Sequence, residues 1–199
     1  TRRRRQRQMC IRDRIIVFDS YFALHEMADY QWAVPVDLLL SVARRESEFD
    51  QYAKSSAGAL GLMQVMPGTA QEMAKNLKIP FEEESLVTSW KYNVLLGATY
   101  LQELSYRYRG NPILIAASYN AGPSNADKWI QHLGSPLDRK TNLIDWVEMI
   151  PFRETRNYVM RITESLTLYK TLVVGKEIDH EFSEFLGSSA YFSFTPQSE

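Results

Sequence analysis

The sequence predicts a mostly α-helical protein, a compact multi-helix domain built around a central apolar helix with one Gly-rich loop or small hairpin. Three observations support this prediction. Apolar residues recur with helical spacing along most of the chain. Residues 112–121 are almost entirely apolar, so this segment belongs inside a core. Glycines and prolines interrupt residues 57–68, which therefore read as a loop. At 199 residues the chain is long enough for one well-packed domain.

The first 14 residues, TRRRRQRQMCIRDR, show neither helical nor strand periodicity. A disordered basic tail and a nucleic-acid-binding arm are two interpretations. A third is a translated artefact, because residues 8–14 can be encoded by a transposon end used as a sequencing adapter. We expect residues 1–14 to be a non-native or disordered segment. They carry seven arginines and one aspartate, so without them the formal charge is −7 instead of −1. This acidity argues against a nucleic-acid partner.

The rest of the chain divides into three parts. Residues 15–33 are predicted to be a linker, with a helix over residues 18–30. Residues 34–175 form the predicted domain, and residues 176–199, which are aromatic but aperiodic, form a C-terminal tail. The chain has no apolar run of the length that a membrane span needs and no signal-peptide pattern.

Six helices are predicted in this domain, and prolines and glycines mark several of their ends. Residues 82–89 read as a polar connection, and residues 145–150 as a turn that Pro151 breaks. The six predicted helices are residues 35–49, 67–77, 90–108, 112–121, 125–133 and 155–174.

An acidic residue occupies an apolar position of the helix predicted over residues 35–49. Leu39, Val42, Ala43 and Glu46 follow one another at helical spacing on one face. Burial and the nearby helix C-terminus would both raise the pKa of Glu46. An acid that stays protonated near neutral pH is what general-acid cleavage of a glycosidic bond requires. The alternative is a glutamate exposed at a helix end, the usual environment of this residue.

Three segments carry motifs that resemble those of one family, the soluble lytic transglycosylases. Residues 43–70, ARRESEFDQYAKSSAGALGLMQVMPGTA, resemble its Glu-Ser and Gly-Leu-Met-Gln motifs. AASYNAGP at residues 116–123 resembles its third motif, and IPFRETRNYV at residues 150–159 its fourth. The four motifs occur in the family's order and approximate spacing and cover about residues 35–169.

The resemblance implies a lysozyme-like α+β fold, with residues 34–175 as the catalytic domain and residues 15–33 as the end of an upstream helical domain. It also implies cleavage of the β-1,4 bond between N-acetylmuramic acid and N-acetylglucosamine without attacking water. In that scheme Glu46 is first the general acid and then the base, and a 1,6-anhydro end forms. The substrate's N-acetyl group stabilises the positive centre.

The resemblance also implies substrate-binding residues. Ser55 would contact the acetamido group, and Tyr119 would lie near the catalytic acid. Tyr158 is predicted to be a groove wall that stacks on a sugar. For Tyr119 the alternative is a core position, and for Glu154 it is pairing with Arg156. The predicted substrate-binding residues are Ser55, Gln64, Met66, Tyr119, Asn120, Glu154 and Tyr158.

The chain departs from the family's pattern at a few positions. Arg45 stands where glutamine is common beside the catalytic acid, and Ser118 precedes Tyr119. The segment PSNADKW lacks the glycine and the basic residue that often follow the third motif. This last departure puts substrate binding on that side of the groove in doubt but does not affect the acid.

No motif for another chemistry is present. The three histidines have no metal-ligand spacing, and the glycine-rich stretch lacks the lysine of a phosphate loop. We therefore expect no metal and no cofactor. The resemblance implies that the partner is the glycan strands of peptidoglycan, and that the protein acts in the periplasm or cell envelope. We expect the protein to be a monomer. Two alternatives stay open: a hydrolase resembling goose-type lysozyme, and a non-catalytic peptidoglycan-binding module.

Overall fold

The computed structural model of the protein describes residues 22–138 and 140–174. The predictions for residues 1–14, for the start of the helix over residues 18–30 and for the tail at 176–199 fall outside these residues. The described part contains one 3₁₀-helix, Glu26–Asp29, and eight α-helices. The α-helices are α1 (Val36–Ser47), α2 (Pro67–Asn76), α3 (Ser85–Thr88), α4 (Trp90–Arg107), α5 (Pro112–Ala121), α6 (Pro123–Leu133), α7 (Leu143–Glu148) and α8 (Arg153–Val174).

The mostly α-helical fold class is confirmed. All six helices predicted between residues 34 and 175 are present, and their ends lie within two residues of the predicted ones. Two short helices were not predicted. In α7 the Asn142 side chain accepts hydrogen bonds from the backbone N–H groups of Ile144 and Asp145, which caps a helix of six residues. In α3 the buried residue Leu86 holds one turn against the core.

The helix predicted over residues 18–30 is wrong in its described part, which contains only the 3₁₀ turn. The Met27 carbonyl accepts hydrogen bonds from the Trp32 indole N–H at 2.9 Å and from the Tyr30 backbone N–H at 3.3 Å. At the other end, the His25 ring accepts from the Met27 N–H and caps the turn. These local bonds use the groups that a longer helix would pair along its axis.

Helix α5 lies at the centre of the molecule, as its apolar composition predicts. Its residues 112–118 are all buried, and it packs against α4, α6 and α8. Pro112 occupies the first turn, and Asn111 caps the helix by accepting from the Leu114 N–H at 3.1 Å. Helix α8 also packs against α1. The end of α1, the end of α5 and the start of α8 therefore meet around one region.

The glycine-rich segment between α1 and α2 is a compact loop. Two isolated antiparallel bridges, Lys54 with Leu60 and Leu60 with Val65, fold it back on itself. None of the helices in the part of the chain that the structure describes has the length and apolar character of a membrane-spanning helix.

Candidate active site

Glu46 lies in the last turn of α1, at the end of the apolar face on which the sequence places it. Leu39, Val42 and Ala43 on that face are at most 1% exposed, whereas Glu46 is only partly buried. Burial raises the pKa of Glu46 from its ordinary value of 4.5 to about 7. At neutral pH a large fraction of these carboxyl groups therefore carries a proton.

Helix α1 ends at Ser47, one residue after Glu46, because the two following residues adopt left-handed backbone conformations. Glu48 has φ 53° and Phe49 has φ 66°. The Glu48 N–H donates to the Arg44 carbonyl at 3.2 Å and closes the last turn. Residues other than glycine adopt this conformation at a cost of about 1–2 kcal/mol each. The packing of this turn against the core, in which Phe49 takes part, offsets that cost.

Two tyrosines from two other helices flank the Glu46 carboxyl. Tyr119, in the last turn of α5, donates a hydrogen bond from its hydroxyl to the Met63 carbonyl at 2.8 Å. Tyr158, on α8, is 2% exposed, and its hydroxyl faces Glu46 without reaching the geometry of an ordinary hydrogen bond. Burial, with a smaller contribution from the negative charge of Glu46, raises the pKa of both tyrosines well above 10. Both hydroxyls therefore keep their protons near neutral pH.

The predicted stacking role of Tyr158 is wrong. Its ring is buried between α8 and the core and offers no face to a sugar, so only its hydroxyl is directed to the site. A groove wall needs an exposed ring, and sequence spacing alone did not distinguish the exposed from the buried face of α8.

Two charged side chains of opposite sign shift the pKa of the Glu46 carboxyl. Arg45 precedes Glu46 on α1 and lowers its pKa. Glu154 lies in the first turn of α8 and raises the pKa of Glu46. Both effects are smaller than that of burial. The Arg45 guanidinium carbon lies 6.0 Å from the centroid of the Tyr158 ring. Glu154 does not form the alternative pair with Arg156, whose guanidinium donates to the Ile150 carbonyl at 2.6 Å.

The loop backbone behind Glu46 is held by side chains from three helices. The Ser47 hydroxyl donates to the Leu62 carbonyl at 2.7 Å. Asn93, on α4, accepts from the Met63 N–H at 2.7 Å through its side-chain oxygen. Tyr119 then donates to the Met63 carbonyl, as described above. The Ser47 hydroxyl is thus engaged with backbone.

Three predicted substrate-binding residues lie on this loop. Ser55 is exposed, and its hydroxyl oxygen accepts from the Ala59 N–H at 2.9 Å. Gln64 has φ 47°, and its side-chain NH₂ donates to the carbonyls of Ala53 and Gly61. Met66 is 45% exposed. Among the described residues, none of the three hydrogen-bonds to the Glu46 carboxyl. Their predicted contacts with substrate stay predictions.

Asn120 links the third motif to the fourth. Its side-chain oxygen accepts a hydrogen bond of 2.7 Å from the hydroxyl of Thr155, the second residue after Arg153 at the start of α8. This bond joins the end of α5 to the start of α8 beside Glu154. The structure therefore brings together Glu46, Tyr119, Asn120, Glu154 and Tyr158.

Sequence reasoning missed Asn93. It is fully buried in α4 and uses both its amide N–H groups and its oxygen in hydrogen bonds. The available signal was an amide side chain directly before the apolar run Val94–Leu96 of a strongly helical segment. Among the described residues, no group of three or more His, Cys, Asp and Glu side chains is arranged to hold a metal ion.

Comparisons with known proteins agree with the motifs. The sequence model of the Transglycosylase SLT domain matches residues 23–142. The soluble lytic murein transglycosylase of Escherichia coli K12 is 35% identical over 130 residues, which are 65% of this chain and 20% of that protein. A Haemophilus influenzae protein provisionally given the same name is 39% identical over 145 residues, 73% of this chain and 24% of that one. The chain thus spans a fifth to a quarter of the length of these relatives.

A solved structure shows the same fold. The lytic transglycosylase Slt of Pseudomonas aeruginosa, solved as an inactive mutant, superposes with a TM-score of 0.71 at 30% identity, covering 80% of this chain and 26% of that one. The resemblance that the motifs carry is confirmed, and the chain belongs to the transglycosylase SLT domain family.

Proposed function

We propose that this domain is a peptidoglycan lytic transglycosylase that cleaves the β-1,4 bond between N-acetylmuramic acid and N-acetylglucosamine without water. The observation that carries this proposal is the Glu46 carboxyl, whose pKa is raised to about 7 by burial between two tyrosines. A carboxyl group with this pKa is able both to donate and to accept a proton near neutral pH.

In the proposed reaction one carboxyl group performs two proton transfers. Glu46 first protonates the glycosidic oxygen as the bond from that oxygen to C1 of the muramyl residue breaks. The acetamido group of the same sugar stabilises the positive charge at C1. The Glu46 carboxylate then takes the proton from the 6-hydroxyl, whose oxygen bonds to C1 and closes a 1,6-anhydro ring. No water is consumed, and Glu46 ends protonated as it began.

The surroundings of Glu46 support this double role. Tyr119 and Tyr158 stay protonated, so they add no negative charge beside the carboxylate intermediate. Ser55, Gln64, Met66, Asn120 and Glu154 are the proposed sugar and peptide contacts, because they lie on the loop, at the end of α5 or at the start of α8. The proposed partner is the peptidoglycan glycan strand. We propose the periplasm or cell envelope as its location, and a monomeric enzyme.

Replacement of the proposed acid tests the assignment. We expect Glu46→Gln to lower the release of 1,6-anhydro-muropeptides from purified sacculi by about a hundredfold or more, because the amide does not supply the proton. Mass spectrometry of the released products measures this. The matched control is Glu48→Gln, the same chemical change at an exposed residue two positions away, which we expect to retain the parent rate. If the Glu46→Gln protein released these products at the parent rate, Glu46 would not be the general acid.

The products also separate the proposal from a hydrolase. Glu154 is the second carboxylate whose charge reaches Glu46, so it is the residue that a hydrolytic mechanism would use to position water. Reducing muramyl ends would indicate hydrolysis, and 1,6-anhydro ends support the lytic reaction. A parent protein that binds sacculi but releases no fragment would instead be a binding module.

A further inference from the structure

The Asn93 side chain on α4 forms three hydrogen bonds with the backbone around it. Its side-chain NH₂ donates to the carbonyls of Leu60 at 2.9 Å and Leu86 at 3.0 Å, and its oxygen accepts from the Met63 N–H at 2.7 Å. The side chain is fully buried. Both N–H donors and the oxygen of the amide are thus used, and each bond ends on backbone of the loop or of α3.

These bonds fix a peptide unit from both sides. The Leu62 carbonyl accepts from Ser47, and the Met63 N–H of the same unit donates to Asn93. The next carbonyl, that of Met63, accepts a hydrogen bond of 2.8 Å from the Tyr119 hydroxyl. The loop approaches Asn93 so closely that a Cβ atom on Gly61 would lie 2.4 Å from the Asn93 amide nitrogen. The loop therefore has little room to shift while Asn93 is in place.

The Tyr119 hydroxyl has a single proton, and it uses that proton in the hydrogen bond to the Met63 carbonyl. The hydroxyl therefore has no second proton with which to donate a hydrogen bond to the nearby Glu46 carboxylate. A hydrogen bond from a tyrosine to an ionised carboxylate would stabilise the ionised form and weaken Glu46 as an acid. We propose that Asn93 is a positioning residue: it holds the Met63 carbonyl where it engages the Tyr119 hydroxyl and so keeps that hydroxyl from serving the Glu46 carboxylate.

The proposal concerns one of several groups that face Glu46. Arg45 comes from its own helix, Tyr119 from α5, and Tyr158 and Glu154 from α8. Of these, Tyr119 alone connects to Asn93 through the Met63 residue. The catalytic importance of the arrangement rests on the proposed function, in which Glu46 must begin protonated. The arrangement itself does not depend on that function.

The test is a titration of the Glu46 carboxyl by carbon-13 NMR in the whole protein, alongside the pH profile of kcat. Asn93→Ser releases the Met63 peptide without adding a charge. We expect the Glu46 midpoint and the alkaline limb of the kcat profile to move down by about one pH unit, because Tyr119 then donates to the carboxylate. In the double variant Asn93→Ser with Tyr119→Phe, this shift should disappear.

Two further variants separate positioning from stability. Leu104→Ala, a core truncation three turns further along the same helix, should lower the melting temperature and leave the Glu46 midpoint unchanged. Tyr119→Phe alone should also leave the midpoint nearly unchanged, because the Tyr119 hydroxyl already donates its hydrogen bond to the Met63 carbonyl. A folded Asn93→Ser protein with the parent midpoint would overturn the proposal. So would a raised midpoint in Tyr119→Phe, which is measurable even if Asn93→Ser does not fold.

The NMR readout keeps this inference distinct from the proposed function. If the midpoint moves as expected in a protein that releases no anhydro-muropeptide, the positioning role of Asn93 stands and the proposed reaction fails. If the protein cleaves glycan strands and the midpoint does not move, the reaction stands and Asn93 has only a structural role.

Discussion

At the scale of single residues, the acid strength of Glu46 depends on burial opposed by its neighbours. Burial has the largest effect and raises the pKa, while Tyr158 and Arg45 lower it and Glu154 raises it. Arg45 is the side chain at which this chain departs from the family's usual glutamine. Arg45 is exposed, so its charge acts across solvent. Its effect on the pKa of Glu46 is therefore smaller than that of burial.

Arg45→Gln tests that adjustment. Removal of a positive charge that favours the ionised carboxylate should raise the pKa of Glu46 further. The alkaline limb of the kcat profile should then move up, by about half a pH unit at low salt and by less at high salt. Arg161→Gln removes the same charge from an exposed position on α8 and is the control. An equal movement in both variants would show a general charge effect and not a local one.

At the scale of elements, the loop between α1 and α2 is the part that the active-site geometry depends on most. The Gly61 backbone has φ 74°, and a Cβ atom there would lie 2.1 Å from the Leu86 carbonyl oxygen. Gly58, three residues earlier, has φ 91° and open space around it. The two glycines therefore separate backbone strain from steric overlap within one loop.

We expect Gly58→Ala to lower the free energy of unfolding by about 1 kcal/mol, the strain of a left-handed residue. Gly61→Ala should lower it by about 3 kcal/mol or more, because Leu86 and Asn93 must also move. Glycan cleavage should survive the first change and be lost in the second. Urea unfolding of both variants measures the difference, and equal losses would contradict the close packing described for Gly61.

At the scale of the whole molecule, the raised pKa of Glu46 means that ionisation of this carboxyl lowers the free energy of unfolding. Below pH 4.5 the carboxyl is protonated in both the folded and the unfolded chain, and the cost is absent. As the pH rises to about 7 the unfolded chain ionises first, so the folded state loses relative stability. Above that range the loss is complete, and the same burial that prepares the acid destabilises the fold.

Comparison of Glu46→Gln with the parent protein measures this cost. We expect equal unfolding free energies near pH 4 and a more stable variant near pH 8, by about 2 kcal/mol after allowance for partial exposure. Other titrating groups cancel in the difference. Urea unfolding at several pH values provides the data. A difference that did not depend on pH would mean that the Glu46 pKa is not raised in the folded state.

Much of the fold follows from local pattern. The apolar spacing, Asn111 and Pro112 at the start of α5 and the proline at the start of α2 give helices whose ends agree within two residues. The short helix α7 was missed because one asparagine cap and two buried residues hold a helix of only six residues, which leaves too little periodicity to detect. The 18–30 helix was wrong where described because Trp32 and Tyr30 take the Met27 carbonyl.

The sequence by itself determined the helices and the apolar face that carries Glu46, because both depend on residues within a few turns of one another. Tertiary structure decided what surrounds that acid. Tyr119 reaches Met63 across 56 positions, and α8 brings Tyr158 and Glu154 to α1 from more than 100 positions away. The packing of the helices decides which face of α8 is buried and which carbonyl accepts the hydrogen bond from the Tyr119 hydroxyl. Local sequence spacing does not encode that geometry.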